Sequence, residues 1–338
     1  MSRSGSRAHP PCPQTPRNNG PLLSHMSFWT PGISPDTEPN RIMIERGVFV
    51  DAKRNNRDVP WKIYYPVEMT EACPVIIWSH GLGGTKDGAG FIHRFVASHG
   101  YVVVCVQHHG TDSGLWEGKQ GHPWDAIRAA KIPRKASSSR FGDIPFVIDQ
   151  LEKFAQINPK IASLMDMSRL AMCGHSFGAR TTQFMAGQMR GFGRRLYSLR
   201  EPRFQCGILY SPVPSDNRRD SPRAIYGPIA IPLFHMTGTA DTSPIEGFEY
   251  TSRLEVFENS GGPEQSLMIL KDGDHMVYNG SRGQLGENPK RGVHETIIKV
   301  ASLAYWDAYL KKNAAARNWL LNDFAGWIDG EGTYTFRA

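Results

Sequence analysis

Three short stretches carry residue types that could break an acyl bond. Gly174-His175-Ser176-Phe177-Gly178 sets a serine between two glycines. A serine hydroxyl is a weak nucleophile until a base takes its proton and a carboxylate orients that base. The G-x-S-x-G spacing suits a strained strand-to-helix turn that lifts the hydroxyl clear of a sheet. The helix start that follows favours developing negative charge. In such a set the chain order is serine, acid, histidine, and the histidines after Ser176 are His235, His275 and His294. His235 lies inside the apolar run Ile229–Met236 and reads as a packed strand residue; His294 reads as a surface or capping residue where the terminal helix begins. His275 follows the run Ser266–Leu270 through a four-residue loop, Lys271-Asp272-Gly273-Asp274, and is the expected base. Asp241, just past Met236-Thr237-Gly238-Thr239-Ala240, is the expected acid; Asp272 and Asp274 are rivals that read as turn formers. A tetrahedral oxyanion needs two preorganised donors. The N–H of Phe177 supplies one, and the N–H of Leu82, in the glycine-rich His80-Gly81-Leu82-Gly83-Gly84, supplies the other.

These residues need a sheet to carry them. Gly47–Ala52 and Val59–Tyr65 alternate apolar and polar residues and read as an edge hairpin. Continuous apolar runs follow at Pro74–Ser79, Tyr101–Gln107, Arg169–Cys173, Cys206–Tyr210, Ile229–Met236 and Ser266–Leu270. Helix-period segments lie between or after them at Gly88–Ser98, Asp143–Phe154, Ala179–Met189 and Glu295–Lys311. Strands buried on both faces and alternating with helices predict an α/β fold, a mostly parallel sheet covered on both sides. Residues 41–338 form one expected domain. The polar stretches 108–142 and 190–204 are expected to run as lid-like excursions over the carboxyl ends of the strands. Trp116 and Trp124 in the first of these, with Tyr278, are the candidates to line an apolar substrate pocket.

Composition narrows the classes further. The chain has 338 residues, 40% of them hydrophobic and 35 aromatic, which is ample for a core. No apolar run approaches the ~18–20 residues needed to cross a bilayer. The first 40 residues hold eight of the 24 prolines and predict a disordered or extended arm. That arm lacks an apolar leader core, so a cytoplasmic location is expected. Five cysteines, with no C-x-x-C pair and no Cys/His zinc spacing, point away from a disulfide scaffold and from zinc. His108-His109 is not expected to bind metal, since neighbours on a strand face opposite ways. The net charge of +7 is concentrated: residues 119–140 hold six Lys/Arg against Asp125, and residues 190–223 hold eight Arg against three acids. Such segments attract anionic surfaces or acidic substrates, while no nucleic-acid motif is present.

The motifs together resemble a known group. Ser79–Gly84, Ala97–Val103, Gly174–Ala179, Thr237–Asp241 and Gly273–Met276, with Arg54–Pro60 ahead of Ile63–Pro66, are similar to the α/β-hydrolase group that includes platelet-activating-factor acetylhydrolases and dienelactone-hydrolase-like esterases. The resemblance spans about residues 46–325. It implies a serine esterase without cofactor or metal, acting on short or medium acyl esters of small or lipid-like alcohols. It puts Ser176, Asp241 and His275 in the triad and Leu82 and Phe177 at the oxyanion. Dienelactone hydrolases use a cysteine nucleophile, so Ser176 argues against that substrate. An amidase, peptidase or polyester hydrolase with the same triad is the nearest alternative. A non-catalytic hydrolase-like binder of anionic partners is the alternative from another class.

Overall fold

The computed structural model describes residues 28–157, 162–280 and 286–338. The expected hairpin is strands β1 (Ile42–Asp51) and β2 (Arg57–Pro66), paired antiparallel. Then come β3 (Cys73–Ser79), helix α1 (Gly90–Ser98), β4 (Val102–Val106), α2 (Pro123–Ala129), α3 (Arg134–Ile157), β5 (Met165–His175) and α4 (Phe177–Ala186). A small ribbon, β6 (Met189–Arg190) with β7 (Tyr197–Ser198), precedes β8 (Phe204–Tyr210) and α5 (Pro222–Tyr226). The chain ends with β9 (Leu233–Ala240), α6 (Tyr250–Asn259), β10 (Gln265–Asp274), α7 (Arg291–Tyr309), α8 (Ala314–Asn322), α9 (Phe324–Trp327) and β11 (Gly332–Arg337). The sheet order is β1-β2-β4-β3-β5-β8-β9-β10-β11. The strands from β4 through β10 in that order pair parallel, with antiparallel strands at both ends.

Strict alternation explains why the inner strands are apolar throughout. In β3, Ile76 and Trp78 enter the core beneath α1 and α7, while Val75 and Ile77 enter the opposite core beneath α3 and α4. β4 divides the same way, Val103 and Cys105 against Val102 and Val104. Cys73, Cys105, Cys173 and Cys206 are free thiols buried in these layers.

Several elements depart from the sequence reading. β9 starts at Leu233 rather than Ile229, because Pro232 has no N–H to give a ladder. α3 begins at Arg134, so the last part of the expected 108–142 excursion is helix; its interior Pro145 removes only one helical bond. The second excursion, 190–204, carries the β6–β7 ribbon. β11 went unseen as an element because its short run gains order only by pairing with β10. Residues 28–40 are docked rather than loose. Phe28 and Trp29 stack on Trp319 at 5.8 and 5.1 Å, and the Trp29 indole donates to Asp307 at 2.8 Å. Residues 1–27, the rest of the expected arm, lie outside the described residues. Among the described residues no helix is long and apolar enough to cross a membrane.

Candidate active site

Ser176 sits between β5 and α4 with φ 55° and ψ −114°, a backbone state that costs energy for a residue with a Cβ. The turn closes because Gly174 and Gly178 have no side chains: a Cβ on Gly178 would collide with the Ser79 carbonyl, and one on Gly174 would come within 2.5 Å of the Gly178 backbone. Ser176 remains partly exposed at the mouth. Phe177, the first residue of α4, leaves its N–H outside the helix ladder. Across the gap, the Gly83 N–H goes to Thr111 O and the Gly84 N–H to Gly81 O. Among the described residues, neither the Leu82 nor the Phe177 N–H has a protein acceptor.

His275 follows β10 and is buried, with Nδ1 2.6 Å from Oδ1 of the fully buried Asp241 at the end of β9. Thr237 donates to the other carboxylate oxygen at 2.8 Å. The rivals are occupied elsewhere: Asp274 accepts from its own loop at the Met276 N–H and from Asn288, and Asp272 faces outward. Burial pushes the Asp241 carboxyl up, but the Arg253 guanidinium and His275 outweigh it and hold it below the usual range. Sequence reasoning missed Arg253. This arginine of α6 is buried, lies 2.9 Å from Asp241 Oδ1, and donates to the backbone oxygens of Asp241 and Pro212. No local motif marks it. His175 was also missed: its Nε2–H donates to the His275 carbonyl at 2.8 Å. Burial, with His275 alongside, pushes that imidazole down to about 3, so it is neutral and serves as a fixed donor.

Ser176 and His275 open onto one cavity of about 460 Å³. Trp116 and Trp124 line it, joined by Leu82, Ile127, Ile245 and Met276. The Trp116 indole donates to the Gly83 carbonyl at 2.7 Å, tying this wall to the glycine-rich loop. Tyr278 does not line the cavity, a correction to the sequence reading. Its side chain turns into the core, stacked at 5.5 Å on Tyr210, because the turn after His275 points it beneath the sheet end. His294 is likewise not at the surface. It is buried one turn into α7, with Nε2 on the Lys271 carbonyl. His235 is a packed strand residue held by Gln265.

A buried polar cluster braces the glycine-rich loop from behind. Arg140 of α3 donates to the Ser79 hydroxyl, the His80 carbonyl, Thr111 and Thr181, joining β3, α3 and α4. His80 donates from Nδ1 to the Gly81 carbonyl and accepts the His108 N–H at Nε2. His108 and His109, which follow β4 in the loop, each hold a different aspartate, Asp143 and Asp112. Among the described residues no group of three His, Cys, Asp or Glu is arranged for a metal ion.

The strand order, the elbow after β5 and the pair at the ends of β9 and β10 define an α/β-hydrolase fold. A family model for platelet-activating factor acetylhydrolase, isoform II, matches residues 29–117, which run from the docked N-terminal segment through the glycine-rich loop. The guinea pig (Cavia porcellus) platelet-activating factor acetylhydrolase is 26% identical over 220 residues, 56% of this chain and 47% of the relative. The dog (Canis lupus familiaris) protein of the same name is 24% identical over 245 residues, 63% of this chain and 49% of the relative. The chain thus spans about half the length of the curated relatives it matches. By these matches the chain is similar to the α/β-hydrolase group that holds these acetylhydrolases.

Proposed function

We propose that the protein is a serine carboxylic-ester hydrolase that cleaves short or medium acyl esters of lipid-like or small alcohols. The observation that carries this reading is the buried Asp241–His275 pair, whose histidine opens together with Ser176 onto one largely apolar cavity. Ser176 Oγ attacks the ester carbonyl while His275 takes its proton. Asp241 holds the Nδ1–H and stabilises the imidazolium that forms. The N–H groups of Leu82 and Phe177 receive the oxyanion. Collapse expels the alcohol, which takes the proton back from His275, and leaves an acyl group on Ser176. A water deprotonated by His275 then releases the carboxylate and restores the serine.

The cavity supports the acyl assignment. At about 460 Å³, walled by Trp116, Trp124, Ile127 and Met276, it suits an apolar chain of modest length. The relatives' name, acetylhydrolase, agrees with a short acyl group. The test is a p-nitrophenyl ester series from acetate to palmitate, on the wild type and Ser176→Ala together. Rates that peak at short or medium chains and vanish in the variant support the reading. A folded wild type inactive on every ester would sink it.

A further inference from the structure

A second, larger cleft lies on the other side of α4 from the catalytic cavity. Its volume is about 770 Å³. Ser176 at the start of α4 lines the first cavity, whereas Phe177, Arg180 and Phe184 of the same helix line this one. Here the two basic segments of the sequence converge: Arg134 comes from one, and Arg190, Arg218 and Arg219 come from the other. With Arg180 the lining carries five guanidinium groups against a single carboxylate, Asp216.

Two of the five are paired, Arg180 with the exposed Asp216 at 3.1 Å and Arg218 with Glu255 at 2.7 Å. Among the described residues, Arg134, Arg190 and Arg219 have no carboxylate within ion-pairing distance. Arg190 is instead set against the Phe141 ring at 5.1 Å and donates to Ser138, and Arg219 sits 4.9 Å over Phe192. Stacking on an aromatic ring orders a guanidinium without a direct ion pair, although Asp220 lies near Arg219. Phe192 and Tyr197 on the β6–β7 ribbon are themselves exposed.

We propose that this cleft binds an organic phosphomonoester, with the phosphate on Arg134, Arg190 and Arg219 and an apolar or aromatic body against the rings. A phosphomonoester carries close to two negative charges, which matches the lining's excess of cations better than a singly charged carboxylate. Guanidinium forks match phosphate oxygens two at a time. A zwitterionic head group would bring a cation against the arginines and is disfavoured. The site is separate from hydrolysis at Ser176 and does not rest on that reading.

The ligand can be a soluble phosphate ester or a phosphomonoester lipid head group, and the experiment separates them. Titration calorimetry with phenyl phosphate is run beside sedimentation with phosphatidylcholine vesicles, with and without phosphatidic acid. The proteins are wild type, Arg134→Gln, Arg190→Gln, Arg219→Gln and the distant Arg41→Gln as a charge control. Phenyl phosphate binding that weakens about tenfold per cleft arginine removed, and is unchanged in Arg41→Gln, establishes a soluble ligand. Binding confined to phosphatidic acid vesicles, with the same dependence on the cleft arginines, assigns the head group. No binding to either probe, or equal weakening by Arg41→Gln, overturns the proposal. Thermal unfolding checks each variant. Should Arg190→Gln fail to fold, the exposed Arg134 and Arg219 carry the test.

Discussion

Among the described residues, two sets of serine, histidine and aspartate, hydrogen-bonded or sharing a cavity, differ instructively. In the first, Ser176 and His275 share a cavity, and Asp241 sits on His275 at 2.6 Å. In the second, Ser79 Oγ lies 3.0 Å from His108 Nε2, and His108 Nδ1 lies 3.0 Å from Asp143. By residue type and distance the second set is the more complete. All three of its side chains are nonetheless sealed from solvent. Ser79 lies within β3 as ordinary strand, its hydroxyl held by Arg140, while Asp143 is saturated by Arg54 and Arg57. Ser176 is strained, partly exposed and flanked by two free N–H groups. Proximity alone therefore does not make a catalytic triad; access, an oxyanion site and a strained elbow separate the proposed machine from a structural brace.

The sharpest test exchanges the two serines. Ser176→Ala is expected to lower ester turnover by at least ~10⁴-fold with the fold intact. Ser79→Ala should cost about 1–3 kcal/mol of stability in urea unfolding and keep most turnover. Equal loss of turnover in both would erase the distinction drawn here. The aspartates come next. Asp241→Asn should lower kcat by about 10⁴-fold by fixing the wrong tautomer of His275. Asp143→Asn should act on stability, by about 1–3 kcal/mol, because it removes the counter-charge of the half-buried Arg54 and Arg57. If Asp274→Asn instead abolished turnover, the acid would be misassigned.

Acidity separates the sets at a smaller scale. Burial, helped by Arg140, pushes the His108 imidazole down to about 4, whereas in an unfolded chain it takes up its proton near 6.5. The unfolded chain binds that proton more tightly, so this contribution is complete above about pH 6.5. It falls by up to about 1.4 kcal/mol per pH unit as pH drops toward 4. Burial pushes Asp143 up, but Arg57 and His108 outweigh it and hold it at about 2. Its contribution is therefore lost later, as pH falls from about 4 toward 2. Urea unfolding at several pH values should show both phases, and His108→Gln should make the first shallower by its own share, leaving those of other buried histidines such as His175 and His235. In the open set, Arg253→Met should raise the Asp241 carboxyl, so activity fails at a higher pH on the acid side of the kcat profile. A profile unmoved by that change would reduce Arg253 to packing. The smallest effect is expected at the wall: Trp124→Ala should favour longer acyl esters by about tenfold in relative kcat/KM.

Much of the fold was legible because its signals are local. The alternation in β1 and β2, the apolar runs of β3 and β4 and the glycines around Ser176 depend on neighbours a few positions away. The boundaries that slipped, at β9 and α3, lie beside Pro232 and Pro145, where local rules and tertiary contacts disagree. Residues 28–40 make a related point. Their composition suits an arm, and order comes from distant partners: Trp319, Trp327 and Asp307 hold Phe28 and Trp29, and the Ser98 carbonyl and Arg94 hold Asn40 and Glu38.

The sequence by itself determined the strand–turn–helix around Ser176, the order serine, acid, histidine, and the layering of apolar residues, since each follows from spacing along the chain. Only the tertiary structure decided that Asp241 rather than Asp272 or Asp274 reaches His275, and that Arg253 completes the pair from α6. It also sent Tyr278 into the core, paired His108 with Asp143, and gathered two distant basic segments around one cleft. These partners come from separate elements, and no periodicity encodes them. Their meeting is set by which strands neighbour one another in the sheet and by which buried charges must find a counter-charge.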